Sequence, residues 1–198
     1  MDGSAAAMKK YLFLPVALLL LAGTVQALRI KDLSPDDKAR AAAVERLLAD
    51  IESKTEDGSR KKRSKSINEG ELNSYIAAQL FYSDDPYVDS LSLKLLPRDR
   101  VEGRLFIDLT SLKIPVGLAS GAEIFFSASF ESSDGGLSIR MEKVFIGTQK
   151  VAPGVIDGII SIVSRASGYE PVRLGDRHQL PPGVEKLETR KGRLVIYY

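Results

Sequence analysis

The sequence has no cysteine and a single histidine, His178. Without cysteine there is no disulfide to staple the fold and no acylated cysteine to anchor it, so packing alone must hold the chain together. Zinc sites draw on several Cys, His or carboxylate ligands, and the first two kinds are essentially missing. His178 falls in GDRHQLPP, which reads as a surface loop. A G-x-S-x-G nucleophile elbow is absent, since GLASG at 117–121 places Ser120 one residue late. No glycine-rich phosphate loop follows a strand pattern. Asp84 and Asp85 are adjacent on a turn, where carboxylates are usually solvated. The sequence therefore predicts no catalytic residue, no metal ligand set and no cofactor.

Charge of one sign is also lacking. Lys and Arg number 28 against 26 Asp and Glu, for a net charge of +2. That balance does not suggest a nucleic-acid binder. There is no internal repeat and no low-complexity tract. The apolar run Tyr11–Ala22 has twelve residues, short of the ~20 that span a bilayer.

That run is nevertheless informative. Lys9 and Lys10 precede it and Val25-Gln26-Ala27 follows, the layout of a secretory signal. Residues 1–27 are expected to be a signal peptide cut after Ala27, with either Met1 or Met8 as the start. Export to a periplasmic or extracellular compartment follows. Residues 28–198 are expected to form one α+β domain with an N-terminal helix and a basic loop over 54–65.

The first helix begins at Ser34, an N-cap, with Pro35 in the first turn and Asp36 and Asp37 at the positive end of the dipole. Val44, Leu47, Leu48 and Ile51 form one apolar stripe. TEDGSRKKRSK then breaks the pattern and reads as a loop. In SINEGELNSYIAAQL, Asn68 and Glu71 make an N-x-x-E capping box, and Ile67 and Leu72 are placed for a hydrophobic staple. Leu72, Tyr75, Ile76 and Leu80 share a face of this second helix. The period then changes to two. Leu91, Leu93 and Leu95 alternate, followed by Val101, Leu105, Ile107 and Leu109. Ile124, Phe126, Ala128 and Phe130 form a third strand, SSDGG a turn, and Leu137, Ile139 and Met141 a fourth. A helix follows Pro153 whose apolar residues, Val155 to Val163, cover nearly the whole circumference. Such a helix is buried, inserted in a membrane or paired with a partner. GVEKLETRKGRLVIYY closes the chain as two strands. The expected order is helix, helix, four strands, helix, two strands: α+β, with helices packed on one face of a strongly bent antiparallel sheet.

These segments carry a resemblance. SINEGELNSYIA resembles the E-x-x-L-N-x-Y-L helix opening of small bacterial envelope proteins in the TULIP-like, tubular lipid-binding, group. VEGRLFIDL is similar to their second strand, VFIGTQKVAPGVIDGII to their strand-to-apolar-helix segment, and LPPGVEKLETRKGRLVIYY to their closing hairpin. The resemblance covers about 66–198. It implies a TULIP-like α/β roll, a long helix wrapped by a bent sheet with an acyl-chain groove between them. On that basis Leu72, Tyr75, Ile76, Leu80, Phe126, Ile156, Ile159 and Ile160 are the candidate ligand contacts, although at this spacing core filling is the stronger reading for any single one of them. Arg60, Lys61, Lys62 and Arg63 are candidates for contact with anionic headgroups or a membrane surface, and a solvated loop is the simpler reading of them. The helix at 34–53, the basic run and the missing cysteine depart from the group's pattern. Two functional expectations result: a non-catalytic envelope protein binding lipid or another apolar ligand, or a protein–protein module of the envelope.

Overall fold

The computed structural model describes residues 33–56, 63–83, 87–108, 121–166 and 170–198. The signal-like segment, Arg60, Lys61, Lys62, Asp84, Asp85, Leu109 and Ser120 lie outside the described residues. The elements run α1 (Pro35–Glu56), β1 (Ser64–Asn68), α2 (Glu69–Ser83), β2 (Val88–Leu96), β3 (Arg100–Ile107), β4 (Ala122–Ser133), β5 (Gly136–Ile146), β6 (Gln149–Val151), α3 (Gly154–Ala166), β7 (His178–Gln179), β8 (Lys186–Arg190) and β9 (Arg193–Tyr197). All described pairings are antiparallel. The large sheet has the order β2-β3-β4-β5-β6, with β7 on β5, and curls into a half-barrel with the helices on one side. A small sheet has the order β1-β9-β8. This is the α+β arrangement that the periodicity predicts.

The alternating residues explain the curl. Leu91, Leu93 and Leu95 of β2, Val101, Leu105 and Ile107 of β3, and Ile124, Phe126, Ala128 and Phe130 of β4 all turn inward and are buried. On β5 the inward parity changes: Leu137 and Ile139 are buried, Met141 only partly, and Val144 completely. The β4–β5 register shifts between Ser127 and Ala128, because Glu142 has no partner on β4. This bulge puts Val144 inside and sharpens the bend. At the β4–β5 turn, Asp134 and Gly135 both have positive φ, 47° and 69°. Two such central residues define a type I′ turn, whose twist matches that of the flanking strands.

The structure corrects two local expectations. The basic loop ends earlier than Lys65. Arg63 exchanges both backbone hydrogen bonds with Tyr198, and Ser64–Asn68 pairs in register with β9. This strand was not legible because only Ile67 is buried along it. It owes its form to a long-range partner rather than to its own pattern. His178 likewise lies in a short strand, β7, opposite Leu137, with its Nε2 2.9 Å from the Arg173 carbonyl oxygen.

Both helix-start devices predicted for α2 are present. The Glu71 carboxylate accepts the Asn68 N–H at 2.7 Å and Asn68 Oδ1 accepts the Glu71 N–H at 2.9 Å. Ile67 and Leu72 are buried in the same core cluster. The helix then does something that a cap alone does not require. Strand β2 is an edge of the large sheet, so alternate backbone groups along it lack a strand partner. Asn73 Nδ2 donates to the Leu93 carbonyl at 2.8 Å, and Asn73 Oδ1 accepts the Leu93 N–H at 2.5 Å. One turn earlier, the Glu69 carboxylate accepts the Leu95 N–H at 2.7 Å. The Leu95 carbonyl accepts the Gly192 N–H, and the Gly192 carbonyl accepts the Glu69 N–H, each at 3.0 Å. Glu69 and Asn73, four residues apart on one helix face, thus close the edge as a strand would.

Asn73→Ala should therefore leave two part-buried backbone groups of Leu93 unpaired. The expected cost is about 2–4 kcal/mol, from an unmet donor and an unmet acceptor. Urea unfolding measures it. A loss under about 0.5 kcal/mol, the scale of ordinary surface substitutions, would show that the edge does not depend on this amide.

Candidate functional site

The apolar stripe of α1 and the inner face of the small sheet do not meet fully. Between them lies a cleft of about 190 Å³. Val44, Leu48 and Glu52, one per turn, come from α1. Leu72, Tyr75 and Ile76 come from α2. Ile67, Leu187, Leu194 and Ile196 form the sheet wall, and Pro181, Pro182 and Val184 the floor of the preceding loop. Among these lining residues Glu52 alone carries a charge, and it is exposed.

The position of α1 over the cleft follows from its first turns. Ser34 caps the helix as its sequence predicts, with Oγ accepting the Asp37 N–H at 3.1 Å. Ser34 Oγ also donates to Asp37 Oδ2 at 2.6 Å, while buried Ser74 of α2 donates to Asp37 Oδ1 at 2.8 Å. One carboxylate thus fixes the start of α1 and ties it to α2. The hydrogen bond from Ser34 holds its pKa below the ordinary aspartate value, and the one from Ser74 adds to this. Farther along, Gln79 Nε2 donates to the Glu45 carboxylate at 3.1 Å. Between these ties the helices approach through small residues, Ala41 against Ala78, in a cluster with Leu33. Tyr75, at the cleft wall, has its pKa raised by burial and then by the nearby negative charge of Glu45. It therefore stays a neutral phenol across ordinary pH.

Of the eight candidate ligand contacts, Leu72, Tyr75 and Ile76 line this cleft. Leu80, Phe126, Ile156, Ile159 and Ile160 are buried in the main core cluster. Phe126 lies over Gly103 of the neighbouring strand, so closely that a Cβ at Gly103 would fall 1.9 Å from a ring carbon. Its ring fills the space that the missing side chain leaves. On α3, Ile156, Ile159 and Ile160 face inward, whereas Val155 and Ile162 are partly exposed, at 37% and 38%. The helix read as apolar all round thus has a core face and a mild outer one. Asp157 anchors it by accepting the Leu174 N–H at 3.0 Å. Of the four basic candidates, Arg63 is described, exposed and backbone-paired at the end of β1.

Sequence reasoning missed the α1 and C-terminal contributions. Val44 and Leu48 are visible as an apolar stripe, and Leu194 and Ile196 as strand alternation, but no local pattern shows that these faces stop short of contact. Pro181 and Pro182 carry no signal beyond a loop. Among the described residues no group of three or more His, Cys, Asp or Glu is placed to hold a metal ion, and no described helix is long and apolar enough to cross a membrane. No family model matches the chain, and neither a curated protein nor a solved structure matches it.

The Asp37 tie makes the seating of α1 sensitive to acid. A carboxylate with a depressed folded-state pKa contributes stability above its unfolded value, and that contribution is lost as pH falls through the folded value. Asp37→Asn should be less stable than the parent at neutral pH. As pH falls below the ordinary aspartate range and Asp37 gains its proton, the gap between parent and variant should narrow. Urea midpoints across this fall test it. A constant gap would mean that the Asp37 charge adds nothing to the tie.

Proposed function

We propose that the protein is a non-catalytic binder of a lipid or another apolar ligand in the cell envelope, and that the cleft between α1, α2 and the small sheet receives the ligand. The observation that carries this reading is the cleft itself: an apolar space with one charged lining residue, bounded by three separately anchored elements. At about 190 Å³ it is smaller than the ~300–1,000 Å³ of typical small-molecule sites, which suits one chain rather than a branched or two-chain ligand. Sequestration would gain about 0.8 kcal/mol per methylene group taken out of water. The signal-like segment ending at Ala27 supports the envelope location.

The cleft is not the groove that the TULIP-like resemblance implies, between helix and large sheet. Where α2 and the small sheet meet the large sheet, the space lined by Leu72, Leu95, Val101, Phe130, Leu187 and Leu194 holds only about 10 Å³, no more than a water molecule needs. Ligand binding is therefore assigned to the outer seam.

A second reading, a protein-docking module, draws on one observation. Phe81 and Tyr82, at the end of α2, are 41% and 66% exposed, with ring centroids 5.4 Å apart in an edge-to-face pair. Native mass spectrometry of gently purified protein separates the two readings. A co-purifying lipid mass supports the first, and an apo mass together with a captured partner supports the second.

Two substitutions test the position of the site. Leu48→Trp, at a half-buried lining position, should fill the cleft and weaken binding of a fluorescent fatty acid by about tenfold or more. Ile159→Ala, in the core, should cost roughly 2–5 kcal/mol of stability and leave probe affinity unchanged. Unaltered probe affinity in Leu48→Trp, or loss of affinity in a folded Ile159→Ala, would remove the cleft as the site.

A further inference from the structure

The ladder between β1 and β9 bears on the chemistry of the ligand. Ile67 pairs with Leu194 and Lys65 with Ile196 in a register without bulges. The ladder continues to Arg63, which exchanges two backbone hydrogen bonds with Tyr198, at 2.8 and 3.0 Å. Side chains two residues apart on a strand share a face, so Arg63, Lys65 and Ile67 lie on one face of β1. Ile67 identifies that face, because it lines the cleft, as do Leu194 and Ile196 across the ladder. The strand rise places Lys65 about 7 Å and Arg63 about 13 Å beyond Ile67, in line with the cleft wall. Both side chains are exposed, and neither forms an ion pair with a described residue. Their sequence neighbours on the opposite face, Ser64 and Ser66, are uncharged.

Resting on the reading of the cleft as a ligand site, we infer that Arg63 and Lys65 hold the anionic head of a single-chain carboxylate amphiphile whose tail enters the cleft. The tail requirement comes from the apolar walls, and the single chain from their volume. The head is assigned by charge: two cations free of described partners follow the apolar wall on the same face. A guanidinium presents a two-pronged donor fork that matches a carboxylate, and an ammonium adds a point charge. Glu52 narrows the choice. Its carboxylate is part of the cleft lining, so with Arg63 and Lys65 the site carries about one net positive charge, which a singly charged carboxylate balances and a phosphate monoester of nearly two negative charges exceeds. The basic run read as a membrane-contact candidate thus acquires a different task at its C-terminal end, beside the cleft wall rather than across a bilayer surface.

The test compares two ligands that share a tail. Decanoate and 1-decanol are titrated into the full chain by calorimetry, for the parent and for the double variant Arg63→Gln/Lys65→Gln. Both positions are exposed and contribute to the ladder through backbone, so the variant is expected to fold, which circular dichroism checks. The parent should bind decanoate more tightly than decanol, and added salt should reduce that preference. The double variant should lose about tenfold in decanoate affinity with decanol affinity unchanged. Glu52→Gln should strengthen decanoate binding and leave decanol alone. A parent that binds both equally, or a folded double variant that keeps its decanoate preference, overturns the assignment of the head site while the apolar cleft stands. If neither ligand binds the parent, the cleft reading fails and this inference with it. Tighter binding of decyl phosphate than of decanoate overturns the choice of a carboxylate head.

Discussion

The fold depends on how an antiparallel sheet with two open edges is closed without a barrel. Strand β2 is one such edge, and its exposed backbone groups at Leu93 and Leu95 are met by α2 and by the turn of the C-terminal hairpin. Unmet groups in a part-buried edge each cost about 1–3 kcal/mol and invite pairing with another chain. The Asn73 amide suits Leu93 because it offers a donor and an acceptor on one rigid plane, as a peptide group does. At Leu95 the task is divided: the Glu69 carboxylate accepts the N–H, the Gly192 N–H donates to the carbonyl, and the Gly192 carbonyl in turn accepts the Glu69 N–H. Helix, sheet edge and hairpin are therefore fixed to one another at one place.

The same device recurs at the other junction between the sheets. The outward N–H groups of β8 at Leu187 and Thr189 are accepted by Ser132 Oγ and Asp99 Oδ1, each at 2.8 Å. Asp99 sits in the β2–β3 turn with a φ of 55°, a backbone state that aspartate tolerates better than most side chains, and its carbonyl accepts the Phe130 N–H. Side chains thus join the sheets where strand pairing stops. The helix α1 packs on α2 and stands over the small sheet, whose wall of Ile67, Leu187, Leu194 and Ile196 it does not reach along its full length. The cleft under α1 is the geometric remainder of that arrangement.

How much of this could be read from the sequence follows from the range of each interaction. The capping box of Asn68 and Glu71, the N-cap at Ser34 and the alternation on β2, β3 and β4 are local, and their patterns appear directly in the residues. The Glu142 bulge reverses the parity of β5 after Met141, which alternation alone does not show. Strand β1 was missed because its partner lies more than a hundred residues later in the chain and only Ile67 is buried on it. Asn73 was hidden for the opposite reason. Within α2 it reads as an ordinary polar helix position, and only the proximity of an unpaired strand edge gives it a task. The candidate site divides along the same line. Helix spacing puts Leu72, Tyr75 and Ile76 on one face and the resemblance makes them ligand candidates, whereas Leu48, Pro181 and Ile196 reach the cleft through tertiary placement. The inward isoleucines of α3 belong to the core, since periodicity shows that a face is apolar but not what lies opposite it.

The absence of cysteine constrains where the fold can leave space. A chain of this size without disulfides draws its stability from close packing, and each unfilled volume in the roll subtracts from it, by about 24 cal/mol per Å³ in measured cases. On that scale an empty space as large as the cleft, about 190 Å³, would cost about 5 kcal/mol in the interior, comparable to the whole stability of many domains. Among the described residues of the roll, packing is closest where the Phe126 ring lies over Gly103. At the seam the same volume is bounded by α1, whose polar ties to α2 through Asp37 and Glu45 do not depend on the cleft being full. On the proposed reading, space for a ligand costs the fold less at the junction of its parts, where closure is made by hydrogen bonds, than at the centre, where closure is made by packing.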